Sequence, residues 1–266
     1  MKIIIFGSNG MLGTYLTKFL STNHEVIPVT RKNIDLSLST EVQIIDFLSN
    51  LVGENDLIIN SSGIIKQRQY DINEMILVNS VFPNILSKFK KKIKCNVIHI
   101  TTDCVFDGYK GDYNESNIHD CIDDYGRTKS LGENKELTVI RTSIIGEEIN
   151  NKKSLVEWVK SNSNKSVDGY SNHLWNGVTC LELAKFIDEL ILKNNFWLGV
   201  NHIFSPNTVS KYELVSIINE VYNLNITIDK KETEKKCFRN LSTLGTPFIK
   251  KDLYNQIVEM KNFKIN

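Results

Sequence analysis

The chain opens on a short run with no polar interruption, Ile3-Ile4-Ile5-Phe6, which stops at Gly7. Behind it, Met11–Ser21 carries apolar residues at helical spacing. The alternation then repeats, with Glu25–Thr30 reading as a strand, Thr40–Leu51 as a helix and Asp56–Asn60 as a strand. Asp71–Lys91 reads as one long helix containing Pro83, Asn96–Thr102 as a strand, Tyr125–Glu136 as a helix and Thr138–Ser143 as a strand. Strands that are apolar at successive positions are buried on both faces, as in a parallel sheet covered by helices. Right-handed crossovers stack such units into a doubly wound α/β sheet of Rossmann type, which receives ligands at the carboxyl ends of its strands.

After about Gly146 the rhythm loosens. Helices are expected over Lys153–Ser161, Cys180–Lys193 and Lys211–Tyr222, and strands over Val200–Ser205 and Ile226–Asp229. The polar stretches Asn162–Lys165 and Lys230–Lys236 read as loops. The expected organisation is a nucleotide-binding domain over residues 1–150, completed by about 176–205. A smaller substrate-binding lobe would be drawn from about 151–175 and 206–266.

Composition narrows the class without naming a function. Hydrophobic residues make up 41% and charged residues 24% of the 266, an ordinary globular balance. A formal net charge of +1 supplies no global field to gather nucleic acid or an anionic membrane. The basic stretch Lys88–Lys94 follows an apolar helical pattern, so it reads as a solvated helix end whose cations match the macrodipole. Five scattered cysteines without a CxxC pair, and five isolated histidines, form neither a disulfide framework nor a metal site. No run approaches the ~20 apolar residues of a membrane span. The N-terminal run reads as a strand and not a signal peptide. The expected setting is the cytoplasm, with no nucleic-acid, membrane or metal partner.

Candidate chemistry begins at Gly7-Ser8-Asn9-Gly10-Met11-Leu12-Gly13, where a strand turns into a helix. Gly7 permits a tight turn, Gly10 lets backbone approach a pyrophosphate, and Gly13 lets the helix pack on the sheet. The N–H groups of the helix start would face the phosphates. The spacing is GxxGxxG, and a plain strand-to-helix turn is the alternative. At the end of the second strand stands Arg31, with the first acid at Asp35 beside Leu36. A basic residue there can accept the extra phosphate of NADP, which favours NADP over NAD; a solvated surface arginine is the other reading.

Tyr125-Gly126-Arg127-Thr128-Lys129 sets a phenol and an ammonium four residues apart, on one face of a helix. A neighbouring cation favours the phenolate, so the pair can exchange a proton near neutral pH. Thr101-Thr102-Asp103-Cys104-Val105-Phe106-Asp107-Gly108 closes the fourth strand, and Arg141-Thr142-Ser143 the fifth. All three segments fall at the carboxyl edge of the expected sheet, beside the glycine loop.

Taken together, these segments resemble the dTDP-4-dehydrorhamnose reductases, a family of extended short-chain dehydrogenases/reductases. TTDCVFDG is similar to that family's STDYVFDG, YGRTKSLGE to its YGxTKxxGE, RTS to its RTSWVYG and Gly7–Gly13 to its GxxGQLG. Asp35-Leu36-Ser37 matches its DxT/S segment near the adenine. The matches keep the family's order over residues 1 to about 146. The resemblance implies that Thr102 polarises a sugar carbonyl, Tyr125 delivers the proton, and Lys129 lowers the tyrosine pKa and holds the cofactor ribose. It implies that Gly7, Asn9, Gly10, Met11, Leu12, Asp35, Leu36 and the strand end Asn60-Ser61-Ser62-Gly63 bind a nicotinamide cofactor; with Arg31 as read above, NADPH is the expected one and NADH the alternative. The expected reaction is reduction of a keto group, at C4, on a nucleotide-linked 6-deoxyhexose for surface polysaccharide synthesis. A homodimer stays open.

The match weakens at the substrate side. Cys104 stands where the family has tyrosine and reads as a small packing residue, not a nucleophile. Asp103 and Cys104 fall among the substrate-side positions. Lys66 is either a sugar or phosphate contact or a surface lysine. Trp175 either stacks on a base or sugar or packs in the core. His173 reads as a satisfied loop residue, and Ser210 as an N-cap three residues before Glu213. Arg239, in a segment similar to the family's C-terminal one, is the candidate for the nucleotide diphosphate. Two other functions remain open: an epimerase or dehydratase with bound NAD, and a cofactor-binding regulatory subunit without chemistry.

Overall fold

A computed structural model describes residues 1–65, 71–150 and 152–265. Its centre is a six-stranded sheet, all parallel. The first five strands along the chain are β1 (Lys2–Phe6), β2 (Glu25–Val29), β3 (Leu57–Asn60), β4 (Asn96–Thr102) and β5 (Thr138–Thr142). In space they run β2-β1-β3-β4-β5, and Gly199–His202 pairs beyond β5. The chain leaves β1 for β2 on one side and returns to β3 on the other. Their carboxyl ends therefore part into the cleft that doubly wound sheets use for ligands.

The unbroken apolar run of β1 is explained by its two faces. Ile3 and Ile5 enter one core, with the helices Met11–Leu20 and Cys180–Lys193. Ile4 and Phe6 enter the other, with Glu41–Leu51 and the helix that follows β3. Helix starts follow from the side chains that precede them. Thr40 and Ser210 form capping boxes with Gln43 and Glu213, and Ser154, Thr179 and Asp252 accept from the first turns of their helices.

The long helix expected over Asp71–Lys91 is interrupted. It runs as Ile72–Ile76, a π turn Leu77–Val81, and then Phe82–Ile93. Proline in a helix body offers no donor to the carbonyl four residues back and crowds it; the wider turn before Pro83 absorbs that mismatch. The turn also serves the cleft. Asn79 Oδ1 accepts from Ile64 N at 2.9 Å, and its amide donates to Ile64 O at 3.0 Å and to Thr128 Oγ1 at 3.1 Å. Ser80 Oγ donates to Thr128 O at 2.7 Å, so one turn ties the loop after β3 to the helix Asp124–Leu131. That helix ends at Gly132, earlier than the expected Glu136.

The second half adds a three-stranded sheet, His173–Trp175 between Val209–Ser210 and Cys237–Phe238, and the pair Ser166–Tyr170 with Thr227–Lys231. The loop expected over Lys230–Lys236 thus begins as strand. The helix Leu253–Asn262, unforeseen from the pattern, buries Leu253, Ile257 and Met260. Phe238 N donates to Gly108 O at 2.6 Å and Tyr113 N to Asn240 O at 3.1 Å, which carries residue 239 over the end of β4. Among the described residues no helix is long and apolar enough to cross a membrane.

Candidate active site

Two adjoining cavities of about 360 and 480 Å³ occupy the cleft, and Gly10, Ser61, Ser62 and Gly63 line both. In the first, Gly7, Asn9, Arg31, Asp35 and Leu36 join these four, with Thr30, Ile34, Ile64, Val78 and Asn150. Gly7 turns through φ +76°, and a Cβ on Gly13 would stand 2.1 Å from the Gly7 carbonyl oxygen, so only glycine lets the helix dock on this loop. Gly10 faces the cavity, where a Cβ would meet nothing closer than Gly7 O at 3.1 Å. It caps Met11–Leu20 without a side-chain acceptor, and the first turn holds no acid. Unspent N–H groups and the positive end of the macrodipole thus remain for an anion.

At the far end, Arg31 Nε lies 3.7 Å from Asp35 Oδ2. Asp35 Oδ1 accepts from Ser37 N at 2.9 Å and Ser37 Oγ at 2.6 Å. Although burial works the other way, these bonds and Arg31 hold the Asp35 carboxyl below its usual range.

The second cavity collects the reacting candidates. Met11, Leu12, Thr102, Asp103, Cys104, Tyr125, Lys129 and Arg239 line it, with Ser143 and the segment Glu148, Lys153, Ser154 and Leu155. A Cβ on Gly126 would stand 2.3 Å from Cys104 O, so a glycine beside Tyr125 lets the helix start close on the end of β4. Asp123 caps that helix, accepting from Gly126 N at 2.9 Å. The Tyr125 phenol reaches the Thr102 hydroxyl, and burial raises its pKa above the ordinary value. Thr102 Oγ1 donates to Asp103 Oδ1 at 3.1 Å and accepts from Cys104 N at 3.1 Å.

Lys129 is 4% exposed, and its Nζ donates to Ile100 O at 2.8 Å. Burial brings its pKa down to about 8, against the pull of Glu133. Burial likewise raises the Asp103 carboxyl, opposed by Arg239, Thr102 and Lys211, and pushes the Cys104 thiol up to about 12. Cys104 is therefore a thiol near neutral pH, and its Sγ accepts from Arg239 Nη1 at 3.3 Å.

Other candidates fall elsewhere. Asn60 is fully buried behind the wall: Oδ1 accepts from Ser62 N at 3.1 Å and Ser62 Oγ at 2.5 Å, and its amide meets His99 Nδ1 at 3.1 Å. It shapes the loop instead of lining the cleft. Trp175 is 4% exposed and packed in the core with Lys211 Nζ over its ring, so the stacking role expected for it gives way to core packing. Lys66 lies outside the described residues. His173, in a strand and not a loop, meets Thr233 Oγ1 at 2.8 Å. Sequence reasoning passed over Ser143, although RTS was noted, and Asn150, Glu148 and Lys153, which no motif marks.

Comparison with known proteins bears on the family and the fold. Residues 1–239 match the RmlD substrate binding domain family. A dTDP-4-dehydrorhamnose reductase of Aggregatibacter actinomycetemcomitans is 27% identical over 236 residues, covering 82% of this chain and 79% of the relative. The crystal structure of a dTDP-4-dehydrorhamnose reductase from Clostridium acetobutylicum superposes with TM-score 0.81 at 21% identity, covering 98% of this chain and 99% of that one. One from Bacillus anthracis in complex with NADP gives 0.81 at 19% identity, covering 97% of each chain. These two structures share the fold. With the family match spanning nine-tenths of its length, the chain belongs to the RmlD substrate binding domain family.

Proposed function

We propose that the chain is an NADPH-dependent reductase of a keto group, at C4, on a nucleotide-activated 6-deoxyhexose, acting in deoxysugar biosynthesis and accepting NADH as second cofactor. The observation that carries this reading is the placement of Thr102, Tyr125 and Lys129 on one cavity wall with Gly10, Met11 and Leu12. The named relatives that reduce 4-keto deoxysugars support it.

The residues present fit a dinucleotide. An uncapped helix start without an acid suits the pyrophosphate, the Leu36–Ile64 end suits an adenine, and Arg31 beside Asp35 suits a phosphorylated ribose. A bound nicotinamide cofactor supplies the hydride. Thr102 turns its hydroxyl proton from Asp103 to the substrate carbonyl and polarises it. Tyr125 gives its phenolic proton to the carbonyl oxygen, making the alcohol. Lys129, held by the Ile100 carbonyl, stabilises the phenolate that remains and keeps two N–H groups for a ribose. Apolar Ile144, Ile145 and Leu155 on the same wall exclude water from the transfer.

The test is a panel of dTDP-, UDP-, GDP- and CDP-linked 4-keto sugars scored by NADPH oxidation. Stoichiometric loss of NADPH with at least one member is expected. Product without net cofactor loss would instead make the chain an epimerase or dehydratase, and cofactor binding without turnover a regulatory subunit. Tyr125→Phe turning over at the wild-type rate would remove the proton-donor assignment.

A further inference from the structure

Buried charges in proteins are normally paired. Beside the end of β4 one buried and two half-buried charges are not. Asp103 is 3% exposed, Arg239 lies on the cavity wall, and the Lys211 ammonium sits 5.2 Å from the centre of the Trp175 ring. Asp103 and Lys211 each feel the charge of the other two and Arg239 feels that of Asp103, yet among the described residues no ion pair joins any two of them. Arg239 Nε is buried without a hydrogen-bond partner, and the other two guanidinium nitrogens meet only a neutral thiol and the Asp107 carbonyl. Lys211 makes no side-chain hydrogen bond to any described residue; its ring contact with Trp175 holds the ammonium in place without using its N–H groups. With Asp103 ionised the group has net charge +1 and donors to spare, and Asp103 and Arg239 stand on the wall of the second cavity.

We propose that Lys211 is a specificity-determining residue of the substrate site, which together with Arg239 holds the sugar-proximal phosphate of a nucleoside diphosphate sugar. This rests on the nucleotide-sugar reading above. In such a substrate the phosphate on C1 lies across the ring from the C4 keto group. A sugar placed with its carbonyl at Thr102 and Tyr125 sends that phosphate away from the nicotinamide end, toward Arg239. Asp103, between Thr102 and the two cations, accepts from a ring hydroxyl and repels an anionic sugar ring, so the anion the cations take is the phosphate. Lys211 opens its helix under the Ser210–Glu213 capping box, which fixes where the ammonium projects.

The experiment compares binding of dTDP and UDP with that of dTMP and UMP, which lack the second phosphate, in wild type, Lys211→Met and Lys211→Arg with NADP bound. Wild type is expected to prefer the diphosphate. Lys211→Met should lose about tenfold of that preference and raise KM for the sugar nucleotide by a similar factor. Its kcat should change less than about twofold and its NADPH affinity should hold, while Lys211→Arg restores the preference. If Lys211→Met folds poorly, as NADPH binding would reveal, Lys211→Gln replaces it. Wild-type diphosphate preference retained in the neutral variant overturns the assignment alone. Failure of the wild type to bind any of these four nucleotides, or GDP, GMP, CDP and CMP tried in the same way, overturns the nucleotide-sugar reading with it.

Discussion

At the residue scale, the catalytic assignment depends on two side chains whose surroundings push them in opposite directions. Burial raises the Tyr125 phenol and lowers the Lys129 ammonium to about 8. A phenol that must lose its proton in such a site needs a cation, and Lys129, one helical turn on, lines the same cavity. Tyr125→Phe is expected to reduce kcat by about 10²–10⁴-fold while NADPH binding, followed by fluorescence, is retained. The pH profile follows from the lysine. Below about 8 the ammonium is charged and supports the phenolate; as pH rises through about 8 it loses its proton, and kcat should fall. In Lys129→Met that alkaline limb should vanish from an already reduced rate, as a kcat–pH series would record.

At the scale of elements, the glycine loop and the π turn determine whether the cleft exists. Gly13 and Gly10 predict different failures. A methyl on Gly13 meets the Gly7 carbonyl at 2.1 Å, so Gly13→Ala should destabilise the fold by about 1–3 kcal/mol, read as a lowered midpoint in urea. A methyl on Gly10 has open space except for Gly7 O at 3.1 Å, so Gly10→Ala should keep most of its stability yet lose NADPH affinity. Much of this scale is legible in the sequence. Cys180–Lys193 and Lys211–Tyr222 occupy their expected residues, because each shows a full apolar stripe and a capping side chain in front of it. Val178–Thr179, Val209–Ser210 and Cys237–Phe238 are two residues each, too short for any periodicity to register. The π turn is hidden because Pro83 marks a disturbance without saying which remedy the helix takes.

The same division holds in the site. Thr102, Tyr125 and Lys129 are readable because their motif residues are local and each sits on one element. Arg239 reaches the cleft through backbone bonds to Gly108 and Tyr113 that no pattern reveals, and Lys211 reads from sequence only as the first residue of a helix.

At the scale of the whole molecule, one buried arginine joins the sheet to the second half. Arg141 on β5 binds Glu133 through both Nε and Nη2 and donates to His202 Nε2 at 2.8 Å and His119 Nε2 at 2.7 Å. His202 Nδ1 meets Ser242 O at 2.7 Å, and Glu115 accepts from Thr243 Oγ1 at 2.7 Å and Leu244 N at 3.0 Å. Both imidazoles accept from the guanidinium and must be neutral to do so. Burial and Arg141 lower His202 to about 4; burial also lowers His119, against the pull of Glu133. The unfolded chain takes up a proton at His202 near pH 6.5 and the native chain only near 4. Stability should therefore be full above about 6.5 and fall as pH drops toward 4, by about 3 kcal/mol from His202. Melting temperatures measured across that range should show the decline, and His202→Gln, which keeps an acceptor and a donor but does not titrate, should flatten it.

The central claim is that hydride and proton meet at one carbonyl between Tyr125 and the glycine loop. The measurement closest to it is transfer from NADPH deuterated at the reactive C4 position of its ring to a 4-keto nucleotide sugar, followed by mass spectrometry and NMR. The account predicts one deuterium on C4 of the sugar per NADPH oxidised, from one face of the nicotinamide only, and the same labelling at a rate about 10²–10⁴-fold lower with Tyr125→Phe. Product formed without deuterium, or without oxidised cofactor accumulating, would contradict it.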